Sequence, residues 1–308
     1  MVFNMDKIEN LLKQEGLTND EIHLLNKINY LANKIDRDTR IICQGKWDSQ
    51  DDMEMLASVR EELSKFEKEY ASLRPISTVL MLDPVIKAKY DKIQEVDTTS
   101  YYHGFQHIKN VVKIMKKFII AFNIDDVTAD KLLTAVIFHD IGRTNVGKDH
   151  DKFSADYFTE YMSQDDNDSF ARVSMKDKDN LEIRHAILLH EQKENLDELD
   201  DFQLLVNFAD KLDVTKERIN LNNPLDPSLP SYKFDLFREI YLDVSDLNII
   251  IDDGALVLNF ECNDNMTLKR LYSIPFMQVV DKIHKELARR CKLEAVVNIF
   301  TNLKKVSK

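Results

Sequence analysis

The sequence predicts a mainly α protein. Glycine and proline number only 6 each among 308 residues, so turn punctuation is sparse and long helices are favoured over many short strands. Apolar residues recur at helical spacing along most of the chain, and one stretch alone, 247–262, reads as β. A chain of this length can bury a core without disulfide or metal staples.

Taken in order, residues 1–75 read as a helical extension: IENLLKQ, EIHLLNKINYLANKI and the charged DDMEMLASVREELSKFEKEYASL, closed by Pro75. In the third segment Met55, Val59, Leu63 and Phe66 keep helical spacing. Such a segment is expected to be a cap or a homo-oligomer arm with a solvated charged face, and it carries no chemistry. Residues 76–222 form a helical core whose segments are separated by polar loops such as SQDDNDS and EQKENLDELDD, and six of the eight histidines lie there. NNPLDPSLP, at 222–230, reads as a linker or ordered loop. Residues 223–308 form a small hairpin and helix unit expected to pack on the core. In LNIIIDDGALVLNFEC two β-rich runs flank Asp253-Gly254, a strong hairpin signal. The β content is expected to end there, because Val279, Ile283, Leu287 and Leu293 return to helical spacing, and the basic tail KKVSK is expected to fray.

Composition narrows the function. Cys43, Cys262 and Cys291 are odd in number and lack CxxC spacing, which argues against a disulfide framework or zinc knuckle and points to a reducing cytosol. No basic-then-apolar leader opens the chain, and its apolar runs fall short of the ~20 residues that span a bilayer. A formal net charge of −12 offers no global attraction to extended nucleic acid, whereas a small anionic substrate responds to the local cations of a site.

The chemistry lies in polar residues set into apolar stripes. YYHGFQHIKNVVKIM is expected to be a helix opened by the Thr98, Thr99, Ser100 cluster, with His103 and His107 one turn apart on the face continued by Val111, Ile114 and Phe118. DKLLTAVIFHDIGR runs as a nearly all-apolar, hence buried, helix into His139-Asp140. A buried aspartate near the partly negative helix C-terminus needs a cation or a donor network. In LEIRHAILLHE, Ile183, Ile187 and His190 share a stripe, while His185 faces elsewhere. In DFQLLVNFADKLD, Asp210 follows the Val206 face, and Asp213, one turn later, either approaches the site or simply ends the helix. Each residue alone has an ordinary structural explanation; four helices each offering an imidazole or carboxylate are most economically explained by one shared cation with nitrogen and oxygen ligands.

His107, His139-Asp140 and Asp210 reproduce the H…HD…D order of the HD-domain superfamily of metal-dependent phosphohydrolases, which the chain resembles over roughly residues 98–222. The resemblance implies an HD-domain helical bundle with His107, His139, Asp140 and Asp210 as metal ligands. YHGFQH is also similar to the YHNxxH segment of cyclic-nucleotide phosphodiesterases, with Gly104 in place of Asn, and that likeness makes His103 the proton donor to the leaving oxygen. Two further histidines bind a second metal elsewhere in the superfamily, and His150 and His190 stand at comparable places, so one or two ions are expected. The acidic pair that follows HD in guanosine tetraphosphate hydrolases and the GYP segment of cyclic-di-GMP hydrolases are absent from this sequence.

The expected activity is hydrolysis of a nucleotide or related small phosphate ester by a metal-activated water, with Mn, Fe, Co, Ni, Zn or Mg as the ion. Asp140 and Asp210 would hold the metal and orient the nucleophile. Arg143, Lys148 and Lys211 are the nearest basic residues in sequence and the candidate phosphate clamps. Two rival functions are a nucleotide-sensing regulatory module without turnover and a di-iron oxygenase of the same superfamily.

Overall fold

The computed structural model describes residues 83–96, 101–144, 149–163, 177–221, 237–263 and 266–301, together with scattered positions between 27 and 81. The chain divides into two compact units, residues 1–83 with 164–174 and residues 84–163 with 175–308. In the first, residues 56–62 are helical and bury Leu56 and Val59. Most of the expected N-terminal helices, the Thr98 to Ser100 cluster, Lys148, the 222–230 stretch and the basic tail lie outside the described residues.

The second unit is mainly helical. It contains α1 (Pro84–Val96), α2 (Phe105–Ala121), α3 (Asp126–Phe138), a 3-10 turn (Ile141–Thr144), α4 (His150–Ser163), α5 (Asp177–Leu189), α6 (Asp201–Lys211) and α7 (Arg238–Leu242). The strands β1 (Val244–Asp252) and β2 (Ala255–Cys262) follow, then α8 (Leu268–Leu271), α9 (Pro275–Cys291) and β3 (Glu294–Thr301).

Helix α3 is the axis of the bundle. Leu132 through Phe138 are all buried, as a helix apolar on every side must be, and α2, α4, α5 and α6 contact it. Burial of each large side chain here stabilises by about 1.5–3 kcal/mol. Local chemistry sets the helix starts. Asp125 accepts from the Val127 and Thr128 amides ahead of α3, and Asp200 and Gln203 form a reciprocal capping box on α6.

The start of α2 differs from expectation. The helix begins at Phe105 behind Gly104, and Tyr101 is held instead in a β-bridge with Ile219. His103 therefore sits on the extended approach to α2, not one turn below His107 on the same helix. Gly104 explains this geometry: a Cβ there would lie 2.7 Å from Gln94 Cβ and 2.8 Å from the Tyr90 carbonyl oxygen, so only glycine lets the chain enter so close to α1.

The hairpin forms where expected. Asp253 and Gly254 both take positive φ, 43° and 77°, and Asp252 pairs with Ala255 across the turn. The expectation that β structure ends there is corrected by β3, which pairs parallel to β2 with Ala255 opposite Glu294 and Cys262 opposite Thr301. The helical spacing of Val279, Ile283 and Leu287 is real, but Lys292 turns left-handed at φ 57° and ends α9 before Leu293. The β-rich run EAVVNIFT then finds its partner through a crossover that no local pattern announces. Helix α9 buries Met277, Val280, Ile283 and Leu287 and contacts α6 and β2, which joins the sheet to the same unit as the bundle.

Candidate metal centre

Two helices end in the same device. At the end of α3, His139 Nδ1 lies 2.7 Å from the Val136 carbonyl, and after α5, His190 Nδ1 lies 2.7 Å from the Ile187 carbonyl. A carbonyl only accepts, so each ring carries its proton on Nδ1 and turns the Nε2 lone pair inward. On α2, His107 Nδ1 donates to Asp213 Oδ2 at 2.7 Å, and Asn110 Nδ2 donates to Asp213 Oδ1 at 3.1 Å. Three imidazoles from three helices are thus oriented by outer acceptors. His107, His139 and His190 are completely buried.

The inward nitrogens meet two carboxylates. His107 Nε2 lies 3.2 Å from Asp210 Oδ1 and 3.7 Å from Asp140 Oδ2, and His139 Nε2 lies 3.5 Å and 3.7 Å from the same two oxygens. The other oxygen, Asp140 Oδ1, lies 3.3 Å from His150 Nε2 and 3.4 Å from His190 Nε2, and those two nitrogens face each other at 3.3 Å. Such spacings suit ligands that share an ion through bonds of about 2.0–2.2 Å. The buried His139 Nε2 and both Asp140 oxygens make no well-aligned hydrogen bond, and although Arg143 pairs with Asp140 Oδ2 by charge, lone pairs remain in a dry interior for a cation to satisfy.

Residues 104–215 match the family model of the HD domain. The chain carries an HD domain. HD domains belong to a superfamily of metal-dependent phosphohydrolases that bind divalent metals. None of the curated proteins compared with the chain matches it.

Within the HD domain three overlapping groups of donors converge: His107, His139 and Asp140; His139, His190 and Asp210; and Asp140, His150 and His190. By their distances to the carboxylate oxygens, His107 and His139 with Asp140 and Asp210 make one set, and His150 and His190 on the other oxygen of Asp140 make a second. Gly142 makes the second set possible. A Cβ there would meet the His150 carbonyl oxygen at 2.6 Å and the Ser154 amide at 2.5 Å, so glycine lets the start of α4 lie against the 3-10 turn, where the Gly142 amide donates to Ser154 Oγ. His185 is exposed and takes no part.

Charge in the HD domain is balanced by neighbours. Burial raises the Asp140 carboxyl, but Arg143 and the imidazoles outweigh it and hold the group well below the usual carboxylate range. Burial opposes ionisation of Asp210 too, and Lys211, with Nζ 2.6 Å from Oδ2, keeps that group low. Glu191 is pushed down to about 2: burial works against this, and Lys211 at 2.9 Å prevails. His190 is lowered by its burial, which keeps Nε2 a donor, whereas the flanking carboxylates overcome burial and raise His139.

A cavity of about 420 Å³ opens beside the HD donors, within the range of small-molecule sites. His103, His150, Asp210, Arg143 and Lys211 line it. Arg143 Nε lies 2.6 Å from Asp140 Oδ2, and Lys211 is buried between Asp210 and Glu191. Lys148 lies outside the described residues. The HD domain also uses residues that sequence reasoning left undecided or missed. Asp213 orients His107 rather than joining the convergent donors. Arg218 lies 3.1 Å from Asp213 Oδ2 and 3.1 Å from His107 Nε2, and it lines the cavity just beyond the HD match. Asp213 shares the Asp210 side of the chain and could have been found by spacing; Arg218 had no such signal.

Proposed function

We propose that the protein is a metal-dependent phosphohydrolase acting on a nucleotide or related small phosphate ester. The observation that carries this reading is the buried meeting of four imidazole Nε2 atoms with Asp140 and Asp210, beside a cavity lined by Arg143, Lys193, Lys211 and Arg218. His107, His139, Asp140 and Asp210 would hold one ion, and His150 and His190 would hold a second with Asp140 between the two. A bound divalent ion, of Mn, Fe, Co, Ni, Zn or Mg, lowers the pKa of water toward ~7 and polarises a phosphoryl oxygen.

The chain's own groups supply the rest. Arg143, Lys211 and Arg218 neutralise phosphate oxygens at the cavity, and Asp140 and Asp210 orient the attacking water. That water gives up one proton to solvent, its oxygen bonds to phosphorus as the ester P–O bond breaks, and a proton on the His103 imidazole passes to the departing oxygen. His103 is half-buried on the cavity wall, its ring centre 6.4 Å from that of His107, and it belongs to none of the convergent donor sets. This placement supports its role as acid rather than ligand.

Phosphate or alcohol release from a panel of nucleotides and phosphodiesters, with each metal in turn, tests the reading. Release should be saturable, lost on chelation and lost in His139→Ala and Asp140→Ala. A metal-loaded protein that turns over none of them would overturn it in favour of nucleotide sensing. The second donor set also suits a di-iron oxygenase, which iron content and oxygen uptake would reveal. We place the enzyme in the cytosol on its cysteine usage; among the described residues, no helix is long and apolar enough to cross a membrane.

A further inference from the structure

The cavity extends past the HD match. Beyond residue 215 it is lined by Arg218, by Tyr241 of α7, and by Pro275, Phe276 and Val279 in the first two turns of α9. Phe276 and Val279 stand three apart and so share a face. Both are partly exposed, while Met277 and Val280 beside them are completely buried in the core. Helix α9 thus turns a second apolar strip, partly exposed, toward the cavity. Tyr241 adds a buried ring packed edge-on to Tyr101, with centroids 5.2 Å apart and planes at 67°, and Tyr101 lines the cavity as well.

A site built only to hold phosphate has no use for such a wall. The cavity combines cations and metal donors with three aromatic rings and a valine, a division suited to a ligand that is anionic in one part and flat and apolar in the other. We propose that Tyr241, Phe276 and Val279 determine substrate specificity by holding the aromatic or heteroaromatic group of a phosphate ester whose phosphate faces Arg143, Lys211 and Arg218. This rests on the phosphohydrolase reading and adds to it the part of the chain that selects the substrate. Stacking of a nucleobase on aromatic side chains is worth about 10- to 100-fold in affinity.

Adenosine 5′-monophosphate and ribose 5-phosphate carry the same ester and leaving oxygen and differ in the base, so their comparison isolates the wall. On the Mn-loaded full-length protein, KM, or Ki against whichever ester is turned over, should favour the adenosine compound by about 10- to 100-fold. In Phe276→Ala that ratio should fall toward one with bound Mn unchanged, and Phe276→Leu, which keeps the bulk of the side chain, should lie between. Equal constants in the wild type, or a ratio that Phe276→Ala leaves intact, would overturn the proposal. If no ester is hydrolysed, the hydrolase reading fails by itself. Calorimetric titration of the same two ligands then decides the wall: preferential binding of the adenosine compound, reduced in Phe276→Ala, supports it, and equal or absent binding overturns it.

Discussion

Asp140 is the residue on which both donor sets depend, because its two oxygens face different imidazole pairs, His107 with His139 and His150 with His190. Asp140→Asn should therefore lose all tightly held metal, whereas His190→Ala, which removes the partner of His150 but leaves His107, His139, Asp140 and Asp210 in place, should lose the metal of the second set alone; metal-to-protein ratios after gel filtration separate the two outcomes. Asp213 acts through another residue. Asp213→Asn removes the charged acceptor of the His107 Nδ1 proton and should weaken metal binding about 10- to 100-fold, read by competition with a chelating dye. These roles differ in how far the sequence displays them. The convergence of His107, His139, Asp140, His190 and Asp210 was legible because each interrupts an apolar helical stripe. The outer roles were not: the partners of Asp213 lie more than a hundred residues earlier in the chain, and Arg218 reaches His107 across a similar interval.

Elements place these residues through close contacts that leave no room for change. Gly142→Ala would drive a Cβ into the backbone at the start of α4, so the chain must shift there and take His150 with it. The variant should lose the His150–His190 metal preferentially and show a lower Tm than the wild type. The capping box of α6 is simpler. Asp200→Ala should cost about 1 kcal/mol in denaturant unfolding, without altering metal stoichiometry, because the cap lies at the opposite end of the helix from Asp210. Element types were mostly readable from spacing, yet two boundaries were not. The threonine and serine cluster before Tyr101 looks like a helix start, but tertiary pairing with Ile219 and close packing of Gly104 on α1 delay the helix to Phe105. β3 is a short run whose partner is reached only after α9 has crossed, so pairing decides it rather than pattern.

For the molecule as a whole, metal held by the buried donors would be part of stability. Ion binding to the folded state alone should raise the unfolding free energy by about 2.7 kcal/mol at a hundred times Kd, and chelation should lower Tm correspondingly. We also propose that residues 1–75 form a helical arm that joins copies of the chain and that the core spans 76–222 with the hairpin and helix unit following over 223–308; light scattering on the full chain tests the oligomer. None of this matters if the donors do not hold an ion. The direct measurement is elemental analysis of the protein after Mn loading and desalting, with Asp140→Asn and the exposed His185→Ala in parallel. One or two Mn per chain in the wild type and in His185→Ala, and none in Asp140→Asn, is the predicted result; a wild type without stoichiometric metal, or an Asp140→Asn variant that retains it, would contradict the account.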